Sequence, residues 1–173
     1  MLNTVVLIDG ANINQQVRLL NQGQLDYGNV KERPADKCNL IRTVFFTAIH
    51  EDENGERRLQ KLVDYLQYNG FKVVSKPTRQ FDSKIKGNMD VEIAEMVRAA
   101  EYAEMIILFS GDGDFIPVVQ YCQNKGVQVL VVSTLEARGL SDELRREADD
   151  FIELALFLKD QENDDEESSD NAS

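Results

Sequence analysis

Histidine and cysteine are scarce in this chain of 173 residues, which carries one histidine, His50, and two cysteines, Cys38 and Cys122. Two thiols make neither a disulfide framework nor a zinc set, and their use suits a reducing, cytoplasmic compartment. Cys122 falls at helical spacing with Phe115, Val118 and Val119, so core packing is its expected role. His50 follows a strand-like run and reads as a loop residue, which leaves general-base chemistry to carboxylates or metal-bound water. Long apolar runs are also missing. None approaches the ~20 residues of a membrane span, and no apolar leader follows a basic start, so no membrane partner is expected.

Basic residues are absent from the end of the chain. Residues 160–173 (DQENDDEESSDNAS) hold seven acids and no base, and account for much of the net charge of −12. So polar and charged a stretch is expected to be a disordered acidic tail after a domain spanning residues 1–159. It would act either as a mimic of nucleic acid or merely as a solubilising end. The overall charge argues against nucleic acid, whose binding depends on neutralised phosphates. The distribution argues otherwise. Between Arg57 and Lys86 lie eight bases against Asp64 and Asp82. Within that stretch Lys76, Arg79, Lys84 and Lys86 directly precede a candidate site, and are expected to contact phosphates.

Thr4–Ile8 is a continuous β-branched run ending at Asp9-Gly10, as in a strand buried on both faces. Further strands are expected at Ile41–Ile49, Phe71–Ser75, Met105–Phe109 and Val127–Ser133. Helices are expected at Asn12–Leu20, from Leu59 to Asn69-Gly70, at Met89–Tyr102, at Phe115–Lys125 and at Ser141–Ala148. The polar stretch Asn21–Lys37 reads as an excursion or short hairpin, and Phe151–Leu158 as a closing segment. Strands alternating with helices specify an α/β fold, with a parallel sheet covered on both faces. No internal repeat is visible.

Acids gather where such a sheet places its sites, at the carboxyl ends of its strands. Asp9 ends the first strand, and Ser110-Gly111-Asp112-Gly113-Asp114 follows the fourth. The glycines at 111 and 113 allow the turn and the close backbone approach that this corner needs. Asp90 opens the helix after the basic stretch. At 100° per residue it lies 20° from Val97 on the buried side, whereas Glu92 and Glu95, at 200° and 140°, face outward. Crowded carboxylates repel unless a cation sits between them, and hard oxygen ligands favour Mg2+ or Mn2+. Asn12 either turns its amide toward this pocket or caps the first helix. Ser110 suits a hydrogen bond to carboxylate or phosphate; with no histidine or lysine base beside it, a nucleophilic role is disfavoured.

The motifs V-V-L-I-D-G-A-N (Val5–Asn12), K-G-N-M-D-V-E (Lys86–Glu92) and F-S-G-D-G-D-F-I-P (Phe109–Pro117), in that order, resemble the NYN domain. More narrowly they resemble its LabA-like branch, within the PIN-like superfamily of metal-dependent ribonucleases. The resemblance covers about residues 3–158. It implies a Rossmann-like three-layer sandwich with a parallel five-stranded sheet of order 3-2-1-4-5 and an acidic Mg2+ or Mn2+ pocket. Matched motif by motif, Asp9, Asp90, Asp112 and Asp114 fall on the acidic positions and Asn12 on the first-motif asparagine. Met96 stands near a place where several relatives carry a further acid or polar residue.

The activity so implied is hydrolysis of RNA phosphodiesters. Asp9, Asp90 and Asp112 would hold metal, Asp114 would serve as ligand or orienter, and Lys76, Arg79, Lys84, Lys86 and Ser110 would contact substrate. The alternative is a catalytically weak RNA-binding or regulatory module of the LabA type; a homo-oligomer is compatible with either. A phosphatase of the haloacid-dehalogenase type is disfavoured, because Asp9-Gly10-Ala11 supplies one acid where D-x-D is required. A calcium loop is disfavoured too, since no EF-hand series follows the D-G-D.

Overall fold

The computed structural model describes residues 1–21, 23–50, 59–78 and 89–159. Six strands form one parallel sheet: β1 (Asn3–Asp9), β3 (Asn39–His50), β4 (Lys72–Thr78), β5 (Met105–Phe109), β6 (Gln128–Ser133) and β7 (Asp150–Glu153). Their order is β4-β3-β1-β5-β6-β7. This is the expected 3-2-1-4-5 arrangement with one strand added. The sixth strand arises because the closing segment starts with a short parallel pairing of Asp150–Glu153 on Leu130–Ser133. A separate antiparallel pair joins β2 (Gln24–Leu25) to β8 (Leu158–Lys159).

The unbroken apolar runs are explained by two cores. Val5, Val6, Leu7 and Ile8 of β1 are all fully buried, and alternate between the faces of the sheet. Val5 and Leu7 pack with Ile93 and Val97 of α4 (Asp90–Ala99), Val119 and Cys122 of α5 (Ile116–Asn124), and Leu144 of α6 (Asp142–Glu147). Val6 and Ile8 pack with Ile13 of α1 (Gly10–Leu20), Val30 of α2 (Tyr27–Ala35) and Leu66 of α3 (Gln60–Tyr68). Each such side chain contributes about 1.5–3 kcal/mol by leaving water. Cys122 is therefore a core residue, as its spacing predicts.

Local signals end α3 and α5 where expected, whereas α4 stops at Ala99, short of the expected Tyr102. Gly70 and Gly126, with φ of +78° and +76°, follow α3 and α5 in a conformation that side chains rarely adopt. The Ser141 side chain caps α6 by accepting from the Leu144 N–H. Three expectations are corrected. Asn21–Lys37 holds helix α2, started by Asp26, whose side chain accepts from the Asn29 N–H. His50 is the last residue of β3 and not a loop residue, and β4 runs past the expected end at Ser75 to Thr78, so that Lys76 lies in the strand. Arg79, Lys84, Lys86 and the acidic tail lie outside the described residues. No helix among the described residues is long and apolar enough to cross a membrane.

Candidate metal and phosphate site

Chain direction decides where a site can form. From β1 the chain moves one way along the sheet to β3 and β4, packing α1, α2 and α3 on one face. It then returns through α4 to β5 and moves the other way, to β6 and β7, so that α4, α5 and α6 pack on the opposite face. The connections diverge between β1 and β5, and a crevice opens at the carboxyl ends of those two strands. Asp9 ends β1, and Ser110–Asp114 follow β5.

One carboxylate oxygen from each of Asp90, Asp112 and Asp114 lies within 4.8 Å of the other two. Asp90 arrives on the first turn of α4, half-buried, as the helical angle predicts. Asp112 caps the 3-10 turn Gly113–Phe115, and its Oδ1 accepts from the Asp114 N–H at 3.0 Å. Opposite ligands of an octahedral Mg2+ stand about 4.2 Å apart, so the three acids can close on one cation.

Asp9 stands behind this triad. It is 6% exposed, and its two oxygens accept from the Asn12 N–H at 3.3 Å and the Ser110 hydroxyl at 3.2 Å. Burial pushes its pKa up to about 6; the two hydrogen bonds oppose the rise, and the charges of Asp90 and Asp112 add to it. The Ser110 Oγ in turn accepts from the Asp112 N–H at 3.3 Å. Ser110 therefore couples the buried carboxylate to the backbone of the triad.

Asn12 does not cap α1; Asp9 does. The Asn12 Oδ1 instead accepts from the Gly111 N–H at 2.9 Å and from Gln16 Nε2 at 2.6 Å. Gln16 is 2% exposed, and all four of its side-chain hydrogen-bonding positions are filled. Its Nε2 also donates to the Gly139 carbonyl at 3.0 Å, and its Oε1 accepts from the Ser133 hydroxyl and the Thr134 N–H. Gln16 thus ties α1 to the loop after β6, and through Asn12 to the loop after β5. Its sequence signal is position: Gly10, Ile13, Gln16 and Leu20 form the buried stripe of α1, and a glutamine there needs partners. At Gly111 a side chain has no room, since a Cβ would fall 1.7 Å from the Gly139 carbonyl oxygen.

Glu92 departs from expectation. Its side chain is 20% exposed and forms an ion pair with Lys76, which draws its pKa below the usual carboxylate range. It faces β4, whereas Glu95 is exposed as expected. Lys76 therefore reaches the site's border as the partner of an acid two residues from Asp90.

The family model described as the NYN domain matches residues 3–156. A curated relative, the low amplitude and bright protein LabA of Synechococcus elongatus, is 30% identical over 128 residues, covering 68% of this chain. The match spans 64% of that relative's length. A crystal structure of a protein of unknown function from Vibrio parahaemolyticus superposes with a TM-score of 0.76 at 24% identity, covering 91% of this chain and 96% of the other. It shares the fold.

Proposed function

We propose, since the chain belongs to the NYN domain family, that its acid cluster binds Mg2+ or Mn2+ and that the site hydrolyses RNA phosphodiester bonds. The convergence of Asp90, Asp112 and Asp114 oxygens within 4.8 Å carries this reading. When bound there, the metal would supply an activated water and neutralise charge growing on the phosphate. The chain's own residues do the rest. Asp90, Asp112 and Asp114 are the ligands. Asp9 is a buried proton-holding group whose pKa of about 6 lies near neutrality, the range in which acid–base groups work best. Asn12 and Ser110 hold the Gly111 and Asp112 amides in place.

Lys76 marks the basic border, and Arg79, Lys84 and Lys86 continue it in sequence, so that phosphates are held by cations while the carboxylates remain for metal. In this reading residues 1–159 form the RNA-processing domain and residues 160–173 an acidic appendage. The assay is cleavage of single-stranded RNA with and without Mn2+. Asp112→Asn is expected to abolish metal-dependent cleavage with folding retained, and an undiminished rate would refute the assignment.

A second reading, a catalytically weak RNA-binding module, is favoured by one observation. The cluster contains three acids and not four, because Asp9 is turned back toward Asn12 and Ser110. Tight, steeply salt-dependent RNA binding without cleavage in Mn2+ would select it.

A further inference from the structure

The acid cluster stands at the head of a groove between α4 and α5, about 250 Å³ in volume at that end. Asp90, Ala94 and Arg98 form one row on α4, at the i, i+4, i+8 spacing that stacks side chains along a single face. Across from them Asp114, Val118 and Tyr121 line the other wall. Each row runs in the same direction, from a carboxylate through an apolar segment to a group suited to binding flat, anionic matter. Tyr121 is 37% exposed, and its ring carries both the Arg98 guanidinium and the Lys125 ammonium, each 6.0 Å from the centroid. Arg98 and Tyr121 also line the next hollow along, so the groove continues past them.

We propose that this groove is a nucleobase subsite for single-stranded RNA, in which a base a few nucleotides along the strand from the bound phosphate stacks on Tyr121 beside Arg98. The proposal rests on the RNA reading of the acid cluster and extends it to how the strand is held. Asp90 and Arg98 are two helical turns apart, about 12 Å, which places the subsite a few nucleotides from the metal ligands. An aromatic ring accepts any base, because every base has a π-face. Two cations focused on one ring of a chain of net charge −12 complement a phosphate backbone. A partner helix would need an apolar track along the whole groove. The lower end instead carries Glu101 and Glu104, which also limits the subsite to its upper part.

The test uses the full chain and short single-stranded oligoribonucleotides carrying 2-aminopurine at successive positions, with Ca2+ in place of Mn2+. Stacking on Tyr121 is expected to quench one position selectively. Tyr121→Ala is expected to weaken binding about five- to tenfold or more and to abolish that quenching, while Tyr121→Phe retains both. Arg98→Gln is expected to lower the salt slope by about 1. If the unsubstituted chain binds no RNA, the reading of the acid cluster fails with it. If RNA binds but no position is quenched, the subsite alone is overturned, and this holds even where Tyr121→Ala fails to fold. Affinity unmoved by a folded Tyr121→Ala also overturns it and leaves the groove to a protein partner.

Discussion

Replacing Asp9 by asparagine removes a charge that the fold buries behind three other acids, and the effect on stability has a calculable sign and size. Below pH 3.8 the carboxyl group is neutral both folded and unfolded. Between pH 3.8 and about 6 the folded chain keeps a proton that the unfolded chain has released, so the native state loses stability as pH rises. Above about pH 6 the whole cost of the buried charge is present, about 3 kcal/mol at 1.36 kcal/mol per unit. Asparagine never pays it. Its oxygen can still accept from the Asn12 amide, but its nitrogen cannot accept from Ser110, a loss of about 1 kcal/mol. Asp9→Asn is therefore expected to be more stable than the unsubstituted chain by about 2 kcal/mol at pH 8, or roughly 4–8 °C in Tm. At pH 4 the order reverses, with the variant about 0.5 kcal/mol less stable, because the lost hydrogen bond then outweighs the small charge cost. Urea denaturation of both proteins from pH 4 to pH 8 in EDTA reads the difference directly. Glu92 and Glu143, whose pKa values are lowered, bend both curves alike and cancel in the comparison. A stability difference independent of pH would refute the reasoning.

Gln16→Ala strips four hydrogen bonds from a buried site and leaves the Thr134 N–H and Gly139 carbonyl without this partner. A loss of about 3 kcal/mol in chemical denaturation is expected, and a change under about 0.5 kcal/mol would show that the clamp is dispensable. Gly111→Ala drives a methyl group into the Gly139 backbone. It is expected to displace the loop after β5 and to lower both Tm and divalent-cation binding, measured by calorimetric titration. Unaltered cation affinity would mean that the triad does not depend on this close approach.

Strand positions were legible because residues buried on both faces leave a plain trace. Met105–Phe109 is a strand over the residues expected. Asp90 was legible because helical geometry alone turns it toward the core. Helix α2 was obscured because it has few apolar residues, contains Pro34, and depends on Tyr27 packing edge-on against Phe45 and Phe71, residues distant in sequence. Glu92 was misread for a related reason. Its angle on an isolated helix faces water, but β4 brings Lys76 to that face. The acids at the strand ends were identifiable as a group. Which of them converge was not, because Asp9 is drawn back by the Asn12 amide and the Ser110 hydroxyl, and both bonds depend on the folded turn.

The four-bonded Gln16 divides the crevice into two mechanically unlike halves. Asp112 and Asp114 ride on a loop locked through Gly111 and Asn12 to Gln16, and through the Gly111 carbonyl to the Ser141 amide. That half is a fixed jaw. Asp90 rides on α4, which is held by the packing of Ile93 and Val97 in the core and, at its first turn, by the Lys76–Glu92 pair with the edge strand β4. The span between the jaws is therefore set by where α4 packs on the sheet, and any ligand that adjusts it works against that packing and leaves the clamp intact.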